Sequence, residues 1–468
     1  MKKYFVAIAV FAGVLSAAAP AQAALNIESW SLPNGARVLF VSNHAIPMLD
    51  VSVQFDAGER RDPQGKAGLA ALTNVMLTHG VAAEGSAPAL SEAQILDGFA
   101  DVAAERGGGA GDDRAGVSLR SLSSLTERQT ALSLLARVLS QPSFPQAALE
   151  RDKALAISDI REAETKPEAI AEKAFMAALY GKHPYAFSAS EASVQAITRD
   201  DLVNFHRQYY VANRAVIAMI GDLTRAEADA IARQLTAALP QGAPLPALPE
   251  VSLPAASEQR IAHPASQSHI LIGLPALKRG DPDFFPLTVG NYILGGGGFA
   301  SRLTNEVREK RALTYGVYSG FSPMAQPGPF QIGLQTKKEQ TQQALQVVRD
   351  TLNKYLNEGP TRDELKGAKD NLIGGFALRI DNNRKILENM AVIGYYGLPL
   401  DYLDHWTEQV AKVSVADIRA AFKRHVLVDR MATVIVGAPG EEAAPEGGTA
   451  GSAATTAASK ATTKATSK

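Results

Sequence analysis

The sequence predicts an α+β fold of two homologous domains, each a mostly antiparallel sheet covered by helices, joined by a Pro/Ala-rich linker. Three observations carry this. Strand-like and helix-like stretches mix without regular βαβ alternation, which favours segregated sheets and helices over a doubly wound parallel sheet. The stretch 241–258, QGAPLPALPEVSLPAASE, divides the chain nearly in half, and such a composition suits a semi-rigid connector. The two halves also close alike, with ITRDDLVNFHRQYYVANRAVIAMIGDL in the first and VSVADIRAAFKRHVLVDRMATVIVGAP in the second. Each is a helix-like stretch, a basic-aromatic segment and an apolar run ending in glycine. Thr198 and Ser414 are placed as helix N-caps, and the runs at 215–221 and 432–437 read as buried strands. Repetition across a linker marks an internal duplication.

In chain order, the first element is a targeting segment. Lys2 and Lys3 precede an apolar run at 4–19, and Ala21-Gln22-Ala23 supplies a cleavage site. The expectation is a signal peptide at 1–23 and export to a bacterial periplasm. The run is short for a membrane span and ends in Pro20, so no stable membrane insertion is expected. The first domain is assigned to 24–240. Strands are expected at 27–32, 36–41 and 48–57, with an Asn34-Gly35 hairpin turn between the first pair. Helices are expected near 66–78, 91–105, 125–140 and 145–165. The linker occupies 241–258 and the second domain 259–438. The tail at 439–468 is mostly Ala, Thr, Gly, Ser and Lys, without apolar periodicity, and should be disordered. A net charge of −1 over 468 residues gives no pull toward nucleic acid. With no cysteine, neither a disulfide framework nor a thiol nucleophile is available.

The segment 65–80, GKAGLAALTNVMLTHG, has the frame of a zinc-peptidase helix without its chemistry. Two His four residues apart on one helix face can grip Zn²⁺, with a Glu between them acting on the metal-bound water. The frame resembles that of the pitrilysin/insulinase family, which includes the mitochondrial processing peptidases and reads roughly G-K-x-G-L-A-H-x-x-E-H-M. Gly65, Lys66, Gly68, Leu69, Ala70 and Met76 match it, whereas the ligand and base positions read Ala71, Asn74 and Val75. The family's third ligand, a Glu on a later helix, corresponds to Asp159. No three-ligand set exists, so the resemblance implies no metal bound by this chain. None of the eight His forms a pair four apart with an acid between. Tyr180-Gly181-Lys182-His183-Pro184-Tyr185 resembles the family's Y-G-x-H-P-Y turn and reads as scaffold.

The second half carries a more positive signal. LGGGGFASRLTNEVREKRALTYGVYSGF at 294–321 resembles the family segment in which an Arg is followed by a Tyr seven residues later, matched by Arg308 and Tyr315. The resemblance implies that these two reach a zinc site, bind a substrate carbonyl and stabilise its oxyanion. A phenol donor and a fixed cation suit that task. An ion pair of Arg308 with Glu306 or Glu309, and a Tyr315 that merely begins a strand, are the plainer alternatives. Gly295, Gly296, Gly297 and Gly298 are similar to the glycine-rich substrate loop of the non-catalytic processing-peptidase subunit, or form a flexible turn. ERGGGAGDDRAGVSLRSLSS at 105–124 reads as a glycine-rich turn and a strand, either a peptide-binding sheet edge or an ordinary hairpin. Together these imply a non-catalytic, substrate-binding subunit of a heteromeric zinc metallopeptidase. An HxxEH-containing homologous subunit would be its partner and hold the zinc, and peptide would be the substrate. The alternative is a periplasmic pseudopeptidase that binds peptides or acts as a scaffold.

Overall fold

The computed structural model describes residues 25–437; the expected signal peptide and tail lie outside them. In the first half, β1 (Glu28–Ser31) and β2 (Arg37–Ser42) form a hairpin around Asn34-Gly35. Gly35 has φ 89°, and a side chain there would crowd Asn213. Then come β3 (Met48–Phe55), a two-residue hairpin of β4 (Gly80–Val81) with β5 (Leu90–Ser91), β6 (Glu105–Ala110), β7 (Ala115–Leu122) and β8 (Val216–Gly221). The second half supplies β9 (Ser257–Ala262), β10 (Gln267–Leu277), β11 (Val317–Phe321), β12 (Gly328–Lys337) and β13 (Ala432–Gly437).

The large sheets have the orders β1-β2-β8-β3-β7-β6 and β11-β12-β10-β13-β9. Read in reverse, the second matches the first from β2 to β6, strand by strand. Orientation matches as well: β2–β8 and β9–β13 are parallel, and the other described pairs in both sheets are antiparallel. The duplication inferred from the closing segments is therefore a duplication of topology, with β1 added to the first copy. Thr198 and Ser414 both cap, over helices Arg199–Tyr209 and Val415–His425, with Asp201 and Asp417 returning the capping-box hydrogen bond.

The halves are not independent bodies, because each sheet is covered by a helix from the other half. Helix Pro167–Tyr180 lays Ala171, Phe175 and Leu179 against Leu271, Val434 and Val436 of the second sheet. Helix Asn383–Tyr396 packs Ile386, Leu387 and Met390 with Leu39, Val41, Ala218 and Ile220 of the first. Gly394 makes that approach possible: a Cβ there would sit 2.6 Å from Val216 and 2.7 Å from Leu39. Apolar area from both halves leaves water together, which couples their stability.

Several boundaries differ from expectation. The helix expected at 66–78 runs only over Leu69–Met76, because Gly68 takes φ 99° just before it. The one expected at 91–105 ends at Ala100, and Ala103 at φ 49° turns the chain into β6. The glycine-rich stretch read as a turn is β6 itself; the turn lies at its end, where Gly111 N–H bonds Arg114 O at 2.9 Å. Glycine weakens a strand prediction, but pairing with β7 along all of β6 supplies hydrogen bonds that side-chain patterns do not encode. Residues 257 and 258, assigned to the linker, already pair in β9.

His206 is buried, donates from Nε2 to Leu139 O at 2.8 Å and stacks on Tyr210. Burial pulls its pKa down from 6.5 to about 4. The unfolded imidazole gains its proton near pH 6.5 and the native one only near 4, so protonation favours the unfolded chain. Stability should be full above pH 6.5 and fall by up to roughly 3 kcal/mol as pH drops to about 4. Urea midpoints across that range should flatten in His206→Gln.

Candidate functional site

Helix Leu69–Met76 is set by Asp62, whose carboxylate accepts from Gly68 N and Ala70 N, both at 2.8 Å. Burial pushes the Asp62 pKa up to about 7, against the pull of those amides. Leu69, Ala70, Leu72 and Met76 face the core. Ala71 is half-buried and Val75 is 51% exposed, so a methyl and an isopropyl group stand where a metal would need nitrogens. Asn74 turns inward at 8% exposure, donating from Nδ2 to Gly116 O at 3.0 Å and to the Tyr210 hydroxyl at 3.1 Å. The base position is thus a structural strut between the helix, β7 and a fully buried tyrosine. Asp159 is exposed on helix Gln146–Ala163. These residues do not fit a zinc ion.

One turn past Val75, His79 bonds Asp152 Oδ2 through Nε2 at 2.6 Å, and its Nδ1 lies 3.2 Å from Glu92. Arg151 bridges the same two acids. This ion-pair group ties the short helix to helix Gln146–Ala163. Only one grouping among the described residues has metal-ligand spacing: Asp281, Asp283 and His425. There Arg424 already engages both Asp283 oxygens at 2.7 and 2.8 Å, so an internal ion pair satisfies it.

β6 is the free end of the first sheet, with two cavities beside it. One, of about 190 Å³, is lined by Asn74, Val75, His79, Phe99 and the three glycines of β6. The other, of about 580 Å³, lies toward helix Asn383–Tyr396 and is lined by Gln54, Gly107, Gly108 and several charged side chains. The tip of the β6–β7 hairpin is held by Asp113, which is 3% exposed. Its Oδ1 accepts from Arg60 at 2.8 Å and the Tyr185 hydroxyl at 2.5 Å. Its Oδ2 accepts from Tyr396 at 2.7 Å and Ala325 N at 2.8 Å, and its carbonyl accepts from Tyr395 at 2.6 Å. The Tyr180–Tyr185 turn thus serves the joint between halves: Tyr180 also donates to Pro327 O and His183 to Pro249 O. Sequence reasoning passed over Asp113, whose signal was an Asp pair directly after the glycine run, and weighed His79 only as a metal ligand, its partner position four residues back being Val75.

Arg308 and Tyr315 flank the second-half counterpart of that edge. Arg308 ends a π-helical turn at Thr304–Glu309, and Tyr315 lies two residues before β11. Ala312, at φ 50°, reverses the chain between them. Glu306 is occupied by Lys310 and Arg311, so the Glu306 alternative for Arg308 does not hold. Arg308 instead sits 4.6 Å over the ring of Phe299 and 3.6 Å from Glu309. Tyr315 is 86% exposed and its hydroxyl has no hydrogen-bond partner among the described residues. Instead of a loop or flexible turn, the four glycines form a helical bend: Gly295 and Gly296 close the turn Tyr292–Gly296, and Gly298 begins the turn Gly298–Ala300. Side chains at Gly295, Gly296 and Gly297 would strike Ser319, Asn291 and Tyr292, and only Gly298, at φ 57°, faces open space.

A family model described as the peptidase M16 inactive domain matches residues 196–372. The chain is 27% identical over 449 residues to the non-peptidase homolog YmxG of Helicobacter pylori, covering 93% of this chain and 98% of that protein. It is 26% identical to an uncharacterized zinc protease of Mycobacterium tuberculosis, over 90% of this chain and 95% of that one. A crystal structure of a peptidase M16 inactive domain from Pseudomonas fluorescens superposes with a TM-score of 0.84 at 41% identity, covering 88% of this chain and 98% of that one.

The site predicts an asymmetry between neighbouring substitutions. Asn74→Glu loses two buried donors and sets a carboxylate against a carbonyl, so it should destabilise by about 2–4 kcal/mol. Val75→His, on the exposed face, should stay within about 0.5 kcal/mol. Denaturant midpoints of the two variants check this.

Proposed function

This chain belongs to the M16 peptidase family, and from that premise we propose that it is the non-catalytic, substrate-binding subunit of a heteromeric zinc metallopeptidase. An HxxEH-containing homologous subunit supplies the zinc and the general base. This chain supplies Arg308 and Tyr315, which bind the substrate carbonyl and stabilise the negative charge developing on it. The bend through Gly295, Gly296, Gly297 and Gly298 presents that segment, and β6 offers an edge for an extended peptide. Lys2, Lys3 and the Ala21-Gln22-Ala23 site support export, placing the assembly in a periplasm.

The observation that carries this reading is a contrast. Asn74 and its neighbours are given over to packing, while Tyr315 is held in the open with its hydroxyl uncommitted. A core role would have buried Tyr315; Arg308 does approach Glu309 at 3.6 Å, so Tyr315 carries the contrast. The second reading is a pseudopeptidase that captures peptides as a scaffold without assisting hydrolysis. It is favoured by the stacking of Arg308 on Phe299, which suits a plain contact surface as well.

Reconstitution with an HxxEH partner separates the two. In the joint complex, Arg308→Ala and Tyr315→Phe should each lower kcat by about 10²-fold, with little change in thermal stability. Unchanged turnover in both variants would establish the scaffold reading.

A further inference from the structure

The cavity between β6 and helix Asn383–Tyr396 holds more positive than negative charge. Its lining includes four arginines, Arg106, Arg114, Arg120 and Arg384, against three acids, Asp50, Glu105 and Glu388. Arg120 and Asp50 are mutually satisfied through bonds of 2.7 and 3.1 Å, and Arg384 pairs with Glu105 at 3.0 Å. Glu388 is exposed. Arg114 is different. It forms no ion pair and no side-chain hydrogen bond among the described residues, and its Nη1 is shut off from solvent without an acceptor. Its sequence neighbour Asp113 cannot serve it, because both carboxylate oxygens are engaged by Arg60, Tyr185, Tyr396 and Ala325 N.

What surrounds Arg114 adds to this. The Tyr395 ring lies 5.8 Å away and offers its face to the guanidinium. Burial draws the Arg114 pKa below its ordinary value, and Arg279, stacked near Tyr396, adds a second cation that pulls the same way. A half-buried guanidinium that feels the Asp113 charge but has no acceptor of its own is costly, and an incoming carboxylate relieves that cost with charge-assisted hydrogen bonds. A peptide paired along β6 sends alternate side chains to opposite faces of the sheet. One set enters the small cavity beside Val75, and the other enters the cavity that Arg114 lines. Gly107 and Gly108 place no side chain between that second set and the cavity.

We propose that this cavity is an anion-selective subsite, in which Arg114 takes the carboxylate of an acidic residue in a peptide paired on β6. The inference rests on the peptide-binding reading above and gives it a substrate class: extended peptides carrying Asp or Glu, directed to the face opposite helix Leu69–Met76.

The test uses the full mature chain and three fluorescein-labelled pools of short extended peptides, alike except for a central residue fixed as Glu, Gln or Lys. Fluorescence anisotropy should show the Glu pool binding about tenfold or more tightly than the Gln pool, and the Lys pool weakest. In Arg114→Gln, the Glu advantage should vanish while Gln-pool affinity stays within about twofold. Equal affinity for Glu and Gln pools in the unaltered chain, a comparison that needs no variant to fold, overturns this inference and leaves peptide binding standing. No binding of any pool overturns both.

Discussion

The geometry of this molecule depends on one buried carboxylate. Asp113 sits at the tip of the β6–β7 hairpin and accepts from Arg60 and Tyr185 on one oxygen and from Tyr396 and Ala325 N on the other. A charge taken out of water must be fully hydrogen-bonded, and removing one partner of such a pair costs about 3–5 kcal/mol. Four separate stretches of chain, two from beyond the linker, must therefore arrive together. Gly58 completes the seat, since a side chain there would run into the Asp113–Arg114 backbone. The free edge of the first sheet is thereby positioned by the joint between the halves.

That arrangement explains how a zinc-peptidase helix outlasts its chemistry. Gly68 supplies the left-handed entry, Asp62 the cap, and Leu69 and Met76 the core contacts. None of these needs a metal. Asn74, where an acid would act as base, instead bonds Gly116 and Tyr210, and His79 is hydrogen-bonded to Asp152. The helix has become part of the wall that supports β6. On the second-half counterpart of that edge, Arg308 and Tyr315 stay at the surface, with Arg308 braced by Phe299.

Much of this was legible in the sequence where local rules dominate. The capped closing helices and the Asn34-Gly35 hairpin follow from residue type and spacing. The exchange of helices Pro167–Tyr180 and Asn383–Tyr396 between sheets was not legible, because an amphipathic face does not say which sheet it will cover. β6 was hidden because Gly107, Gly108 and Gly109 have no side-chain pattern; its identity comes from a long-range ladder with β7. Asp113 was not legible either, because its partners Tyr185, Tyr395 and Tyr396 are distant in sequence.

The proposed division of labour between a metal-free chain and a metal-bearing partner is tested most directly by counting zinc. Native mass spectrometry of the chain alone, and of its complex with an HxxEH-containing subunit, gives the count for each species. No zinc on the isolated chain and a single ion in the complex is the expected result. A stoichiometric zinc on the isolated chain, together with peptide cleavage, would contradict it.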